Sequence, residues 1–259
     1  MPLPSHRVAA PASGTGTGTQ TRARTKSERE REPADAVRAM PGPEPAAASP
    51  TRPRLRGWLH LGAFPAVLMA GLVLVALGPT LSARLASAVY VATSGLLFGI
   101  SGTYHRQRST RLLEVLRRFD HANIYLIIAG TYTPFAVVAL DGIAGVVVLA
   151  VVWTGAIAGV VFRTTWVSAP RWLYVTLYIA LGWVAVFFMP QFLDGAGITA
   201  CVMVALGGIA YSVGGVVYGL RRPDPSPRWF GFHEVFHACT LAAYVLQYIA
   251  VSLVIYQSA

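Results

Sequence analysis

The decisive stretch of the sequence is Phe232-His233-Glu234-Val235-Phe236-His237, which opens an apolar run that continues to Ile255. The run is long and apolar enough to cross a bilayer as a helix, which needs about 20 residues. On that helix the two histidines are four residues apart, so they lie one turn apart on the same face. This spacing suits two imidazole ligands of one metal ion. Ionisable side chains are costly inside a membrane and therefore indicate a functional site.

The composition of the whole chain is that of a membrane protein. Of its 259 residues, 54% are hydrophobic and 12% are charged, whereas a soluble domain has about 25% charged residues. Residues 1–57 contain ten of the 21 Lys and Arg residues and are rich in Pro, Ala, Gly, Ser and Thr. That composition predicts a disordered tail. Because the positive charge is divided between this tail and the loops, it does not indicate nucleic-acid binding.

Seven apolar runs follow the tail, and each is close to the length required to span the hydrocarbon layer. They predict an all-α, seven-helix transmembrane bundle over residues 58–257, because continuous apolar runs without alternation exclude a β-barrel. Their approximate bounds are 58–78, 85–105, 119–139, 143–162, 172–190, 196–219 and 232–256.

The loop charges predict the orientation of the bundle. Ten of the eleven basic residues after residue 57 lie on the side of the membrane that also has the Arg-rich tail. The positive-inside rule places this side in the cytoplasm, so the N-terminus is predicted inside and the C-terminus outside. The ten residues are Arg106, Arg108, Arg111, Arg117, Arg118, Arg163, Arg171, Arg221, Arg222 and Arg228.

This topology brings polar residues from three predicted spans to one membrane level, at the cytoplasmic side. His105 and Ser101 lie at the end of the second span, Asp120 begins the third, and His233 and His237 begin the seventh. Three imidazoles with an open fourth position are typical of catalytic zinc sites. We therefore predict a metal held by the three histidines, with Asp120 as a positioning partner or general base and Ser101 holding a water or a substrate oxygen. A proton relay or a metal-free polar core is the alternative.

The other histidines of the spans are not predicted as ligands. His121 follows Asp120 directly, so on a helix it points about 100° away, toward a loop or a lipid headgroup. His60 has no partner in the sequence pattern and is predicted at the membrane interface.

The pattern H-E-x-x-H around Glu234 also suggests a zinc protease. Leu193-Asp194-Gly195 is similar to the third-ligand motif of intramembrane site-2 proteases, but it precedes the histidine helix instead of following it. The charge pattern also places Asp194 at the opposite membrane face. We therefore predict that Glu234 caps the start of its helix, where an acidic side chain suits the helix dipole.

Four motifs, taken together and in order, resemble those of bacterial hemolysin III proteins. These proteins belong to one seven-helix superfamily with the adiponectin/progestin receptors and the alkaline ceramidases, and the resemblance covers about residues 55–257. The motifs are Ser101-x-x-x-His105, Arg118-Phe119-Asp120-His121-Ala122, Ala129-Gly130-Thr131-Tyr132-Thr133-Pro134-Phe135, and Gly231-Phe232-His233-Glu234-Val235-Phe236-His237.

The resemblance implies a function as well as a fold. It implies a zinc ion held by His105, His233 and His237, with Asp120 and Ser101 around a water at the metal. It also implies hydrolysis of an amide or ester in a lipid-like substrate, in a multi-pass protein of the bacterial plasma membrane that contacts membrane lipids. The alternative is a non-enzymatic membrane effector, either a cytolysin or a receptor-like regulator. The absence of a continuous polar stripe along any predicted span argues against a pore.

Overall fold

The computed structural model describes residues 53–107 and 110–257. These residues form seven α-helices, with a π-helical turn and a 3-10 turn inserted, and one isolated β-bridge. Residues 1–52 of the predicted tail (residues 1–57) lie outside the described residues, so the disorder of the tail stays a prediction. In order, the elements are α1 (Trp58–Ala76), α2 (Leu81–Arg106), α3 (Thr110–Pro134), the π-turn (Phe135–Ala139), α4 (Gly142–Thr165), α5 (Arg171–Gly182), the 3-10 turn (Trp183–Phe188), α6 (Met189–Leu220) and α7 (Phe232–Gln257).

Six helical segments within the described residues are long and apolar enough to cross a membrane, compared with seven predicted spans. The small difference arises because the predicted fifth and sixth spans form one continuous segment, Arg171–Leu220. Its 50 residues would measure about 75 Å as a straight helix, more than twice the hydrocarbon thickness.

This segment folds back on itself at Gly197. The Tyr174 hydroxyl lies 3.5 Å from that of Tyr218, and Trp183 Nε1 donates to Ser212 Oγ at 2.9 Å. From the first pair to the second, the residue number rises in the first half of the segment and falls in the second half. The two halves therefore run antiparallel. Gly197 has φ 76° and ψ 163°, a conformation that essentially only glycine adopts. The described part of the chain therefore makes seven helical passes, and the predicted all-α membrane bundle is confirmed.

The basic loops and the histidine helix ends lie at the same end of the bundle. The Arg171 guanidinium lies over the Tyr218 ring, 5.1 Å from its centroid, and that ring lies 5.7 Å from the ring of His233. At this end, residues before α1 also pack on the bundle, because the backbone N–H groups of Arg54 and Leu55 donate to the carbonyls of Arg228 and Trp229. The assignment of this end to the cytoplasm stays a prediction.

Candidate metal centre

Three histidine side chains converge where α2 ends and α7 begins. Nε2 of His233 lies 3.0 Å from Nε2 of His105 and 2.8 Å from Nε2 of His237. His233 and His237 lie one turn apart on α7, so their imidazoles are side by side. His105 reaches them from the end of α2. All three side chains are buried, and their ligand atoms lie within 4.8 Å of one another.

Hydrogen bonding cannot satisfy this arrangement, whereas a cation can. A neutral imidazole has one N–H donor and one acceptor nitrogen. Nε2 of His233 faces two other Nε2 atoms, so it can donate a proton to one or accept a proton from one, but it cannot make two full hydrogen bonds. A divalent ion would accept a lone pair from each of the three nitrogens, and imidazole is a preferred zinc ligand. The residues therefore form a buried group that could hold a metal ion.

Asp120 and Ser101 lie beside this group. Oδ2 of Asp120 is 3.9 Å from Nε2 of His105, and the Asp120 side chain is 13% exposed. Ser101 lies one turn before His105 on α2, and it lines the same cavity as Asp120. The structure thus brings together all five residues that the sequence singled out, with the carboxylate next to the histidine nitrogens.

A fourth histidine lies at the centre, although the sequence pattern gave it no partner; its predicted depth at the membrane interface stays a prediction. His60 on α1 is only 2% exposed. Its ring lies 3.8 Å from the ring of His237 and 4.9 Å from that of Phe98, measured between centroids. The sequence offered one overlooked signal, an ionisable side chain inside an apolar run, which is costly unless it has a role.

Residues just before α1 also reach the centre, and the sequence pattern did not predict this. Arg56 Nε lies 3.5 Å from Nδ1 of His105 and 3.8 Å from Oε1 of Glu234. Gly57 is buried against His105, with φ 78°. Glu234 Oε2 accepts a hydrogen bond from the Gly231 backbone N–H at 2.9 Å, so its predicted capping role is confirmed.

Neither His121 nor Asp194 is a member of the histidine group found among the described residues. The His121 ring nitrogens lie 2.7 Å from the Arg117 carbonyl oxygen and 3.3 Å from the Tyr218 hydroxyl. His121 is partly buried and contacts Tyr218 of α6, a contact that the sequence did not predict. Gly195, next to Asp194, packs on the backbone of Ala139, which is 19 residues after Asp120. This separation along the helical segment places Ala139, and with it Asp194, near the end of the bundle opposite to Asp120. The zinc-protease arrangement is therefore not formed.

A cavity leads from this centre into the bundle. Its volume of about 160 Å³ is roughly ten times the space that one water needs. At one end it is lined by His60, Ser101, Asp120 and His237, and its walls are mostly apolar side chains from α3, α5, α6 and α7. Gln247 lines it farther along α7, ten residues or about 15 Å from His237. The cavity can hold an elongated apolar molecule with a polar end at the histidines.

Comparison with known proteins agrees with this architecture. A family model described as Haemolysin-III related matches residues 48–248. The chain is 36% identical over 142 residues to Hemolysin-3 of Bacillus cereus, covering 54% of this chain and 64% of that protein. It is 34% identical over 141 residues to a Hemolysin-3 homolog of Bacillus subtilis (strain 168), covering 53% and 65%. In both cases the match spans less than two thirds of the relative's length. The chain therefore belongs to the haemolysin-III related family and is an integral, multi-pass protein of the bacterial plasma membrane.

Proposed function

We propose that this protein is a zinc-dependent hydrolase of an amide or ester bond in a lipid-like substrate. The observation that supports the proposal is the position of Asp120, whose carboxylate lies 3.9 Å from a nitrogen of the three-histidine group at the polar end of an apolar cavity. Such a combination of metal ligands, a nearby base and a site for a hydrocarbon chain is what hydrolysis of a lipid requires.

His105, His233 and His237 would hold the ion. When bound there, zinc would polarise the substrate carbonyl and make a neighbouring water more acidic. Its preference for nitrogen ligands fits three imidazoles with no thiolate among them.

The protein's own groups carry out the proton transfers in this proposal. Asp120 takes a proton from the attacking water as the water oxygen bonds to the carbonyl carbon. It then returns a proton to the leaving nitrogen or oxygen as the bond to the carbonyl carbon breaks, giving a carboxylic acid and an amine or alcohol. Ser101, which lines the cavity beside Asp120, would position the carboxylate or the water as a hydrogen-bond donor. The apolar walls hold the acyl chain and limit access of bulk water to the reacting atoms.

Two measurements test the proposal. The first is metal content per chain on detergent-purified protein, for wild type, His105→Ala and His237→Ala. About one zinc per chain in wild type and a loss in both variants is expected from a site with three histidine ligands. Wild-type protein that neither contains zinc nor rebinds it would refute the proposal.

The second measurement is product formation from long-chain N-acyl amines and fatty-acid esters by mass spectrometry. Asp120→Asn keeps the size of the side chain but removes the base, so we expect zinc to be retained and turnover to fall about 100-fold or more. Asp141→Asn is the matched control, because Asp141 is an exposed residue before α4. Equal turnover in the Asp120→Asn variant and the control would contradict the assigned base.

The printed name of the two relatives, Hemolysin-3 or its homolog, supports a second candidate, a membrane-lytic effector. Dye release from liposomes that contain the purified protein tests it. A lytic protein would release dye equally in wild type and Asp120→Asn, whereas a hydrolase would release no dye or would depend on Asp120.

A further inference from the structure

His60 is a buried polar side chain whose hydrogen-bonding atoms are not used by the protein. Both of its ring nitrogens are shielded from solvent, and neither has a hydrogen-bond partner among the described residues. A buried polar group without a partner is destabilising and calls for an explanation. His60 also lines the cavity, at the end where Ser101, Asp120 and His237 lie.

Metal ligation does not explain this histidine. Within residues 53–107 and 110–257, the group of side chains whose ligand atoms lie close enough to share an ion consists of His105, His233 and His237, without His60. His60 instead lies against the ring of His237, with the two ring planes 39° apart. Its ring therefore packs beside one member of that group without belonging to the group.

Packing alone does not require a histidine here either. The neighbours of the ring are the aromatic rings of Phe98 and His237, and a phenylalanine ring could make the same edge and face contacts without burying two polar atoms. The nitrogens themselves are thus the feature that needs a role.

We propose that His60 is a specificity-determining residue that binds an N–H or O–H group of the ligand next to the metal centre. A neutral imidazole has an acceptor nitrogen for such a group, and a molecule in the cavity would bring its polar end to this position. The inference rests on the proposed function, and it specifies that His60 favours substrates with a donor close to the carbonyl over substrates without one.

The test uses two substitutions at His60 that separate its nitrogens from its ring. His60→Phe keeps a ring but removes the nitrogens, whereas His60→Asn keeps an acceptor and a donor but removes the ring. His121→Phe is the matched control, because it makes the same change at another histidine of the bundle that does not line the cavity. All variants are made in the full chain and loaded with zinc.

The probes are N-hexadecanoylethanolamine, which has an amide N–H and a hydroxyl group, and methyl hexadecanoate, which has neither. Native mass spectrometry across a range of probe concentrations measures the bound fraction and the zinc content, and product formation is recorded in the same samples. For His60→Phe we expect about tenfold weaker binding of the ethanolamide, as for a lost buried hydrogen bond. We expect a change of less than about twofold for the ester, which makes no such bond. His60→Asn should keep the preference for the ethanolamide, and His121→Phe should bind both probes like wild type.

Three outcomes would overturn the inference. One is wild-type binding of both probes by His60→Phe with impaired binding by His60→Asn, which would assign His60 a packing role against His237. Another is loss of zinc in His60→Phe, which would make the residue part of the metal site. The third applies if His60→Phe does not fold: equally weakened binding of both probes by His60→Asn would then overturn the inference.

The same data separate this inference from the proposed function. Hydrolysis that is insensitive to His60 would overturn the role of His60 and leave the hydrolase in place. Ethanolamide binding that depends on His60, without hydrolysis of either probe, would overturn the hydrolase and leave the binding role in place.

Discussion

Substitution of Gly57 by alanine should weaken metal binding although Gly57 is not a ligand. Gly57 has φ 78°, and a Cβ atom built there would lie 2.6 Å from Cβ of His105. Non-bonded carbon atoms prefer about 3.5–4.0 Å, so the His105 backbone or the turn before α1 must move by about 1 Å. The left-handed conformation adds about 1 kcal/mol for alanine.

A displacement of this size is large for a metal ligand. Metal–ligand distances vary by only about 0.2 Å in well-formed sites, and disturbing the groups that orient a ligand lowers metal affinity by about 10–100-fold. We therefore expect the zinc affinity of Gly57→Ala to fall by about that factor, measured in detergent by competition with a chromophoric chelator. The midpoint of thermal unfolding should also fall.

Gly62→Ala is the matched control for this experiment. Gly62 lies in α1, the helix that Gly57 precedes, and it is exposed; no heavy atom of the described residues lies within 4 Å of a Cβ added there. Because alanine is the better helix former by about 1 kcal/mol, this variant should be at least as stable as wild type and bind zinc equally well. The reasoning would be refuted if Gly57→Ala and Gly62→Ala had the same zinc affinity.

Three further predictions concern stability. Glu234→Ala removes the acceptor of the Gly231 N–H and should lower the free energy of unfolding by about 1 kcal/mol, whereas Glu234→Gln, which keeps an acceptor oxygen, should lose less. Tyr132→Phe removes a hydroxyl that donates to the Gly182 carbonyl and accepts from the Ala185 N–H, both at 2.7 Å; a cost of about 2 kcal/mol is expected, and an unchanged thermal midpoint would contradict it. Chelation of the metal should lower the thermal midpoint of wild type, and added zinc should restore it, because an ion that binds only the folded state stabilises it; a variant without one ligand histidine should not respond.

The main features of the centre can be predicted from the sequence because they follow from local rules. The spacing of His233 and His237 gives a shared helix face, and the loop charges give the direction of each span. Together these rules predict His105 and Asp120 at the same membrane level as the pair on α7, and the structure brings these side chains close to one another. No knowledge of how the helices pack is needed for this result.

The role of His60 could not be predicted in the same way. Its contact with His237 joins residues 177 positions apart, through the packing of α1 beside α7, and no local pattern encodes which face of α1 turns inward. Gly57 and Arg56 were missed for a related reason. They belong by composition to the polar tail, and only the tertiary fold brings them to His105.

The break between the fifth and sixth passes was predicted in nearly the right place but with the wrong structure. A loop was expected between residues 190 and 196, whereas the helix continues to Gly197 and reverses there. Hydrophobic periodicity detects the polar residues of a connection. It does not detect a single residue whose backbone conformation turns the chain.

The reversal at Gly197 has a consequence for the biogenesis of the protein. Between Arg171 and Arg221 the sequence contains one charged residue, Asp194. With Arg171 and Arg221 on the cytoplasmic side, as the loop charges predict, two passes joined in this way can enter the bilayer together as a hairpin, and only one carboxylate has to be carried across. Arginines stay at both open ends of the hairpin, where they resist translocation. The flanking arginines therefore set the orientation of both passes together. A positive charge introduced near Gly197 would oppose this orientation.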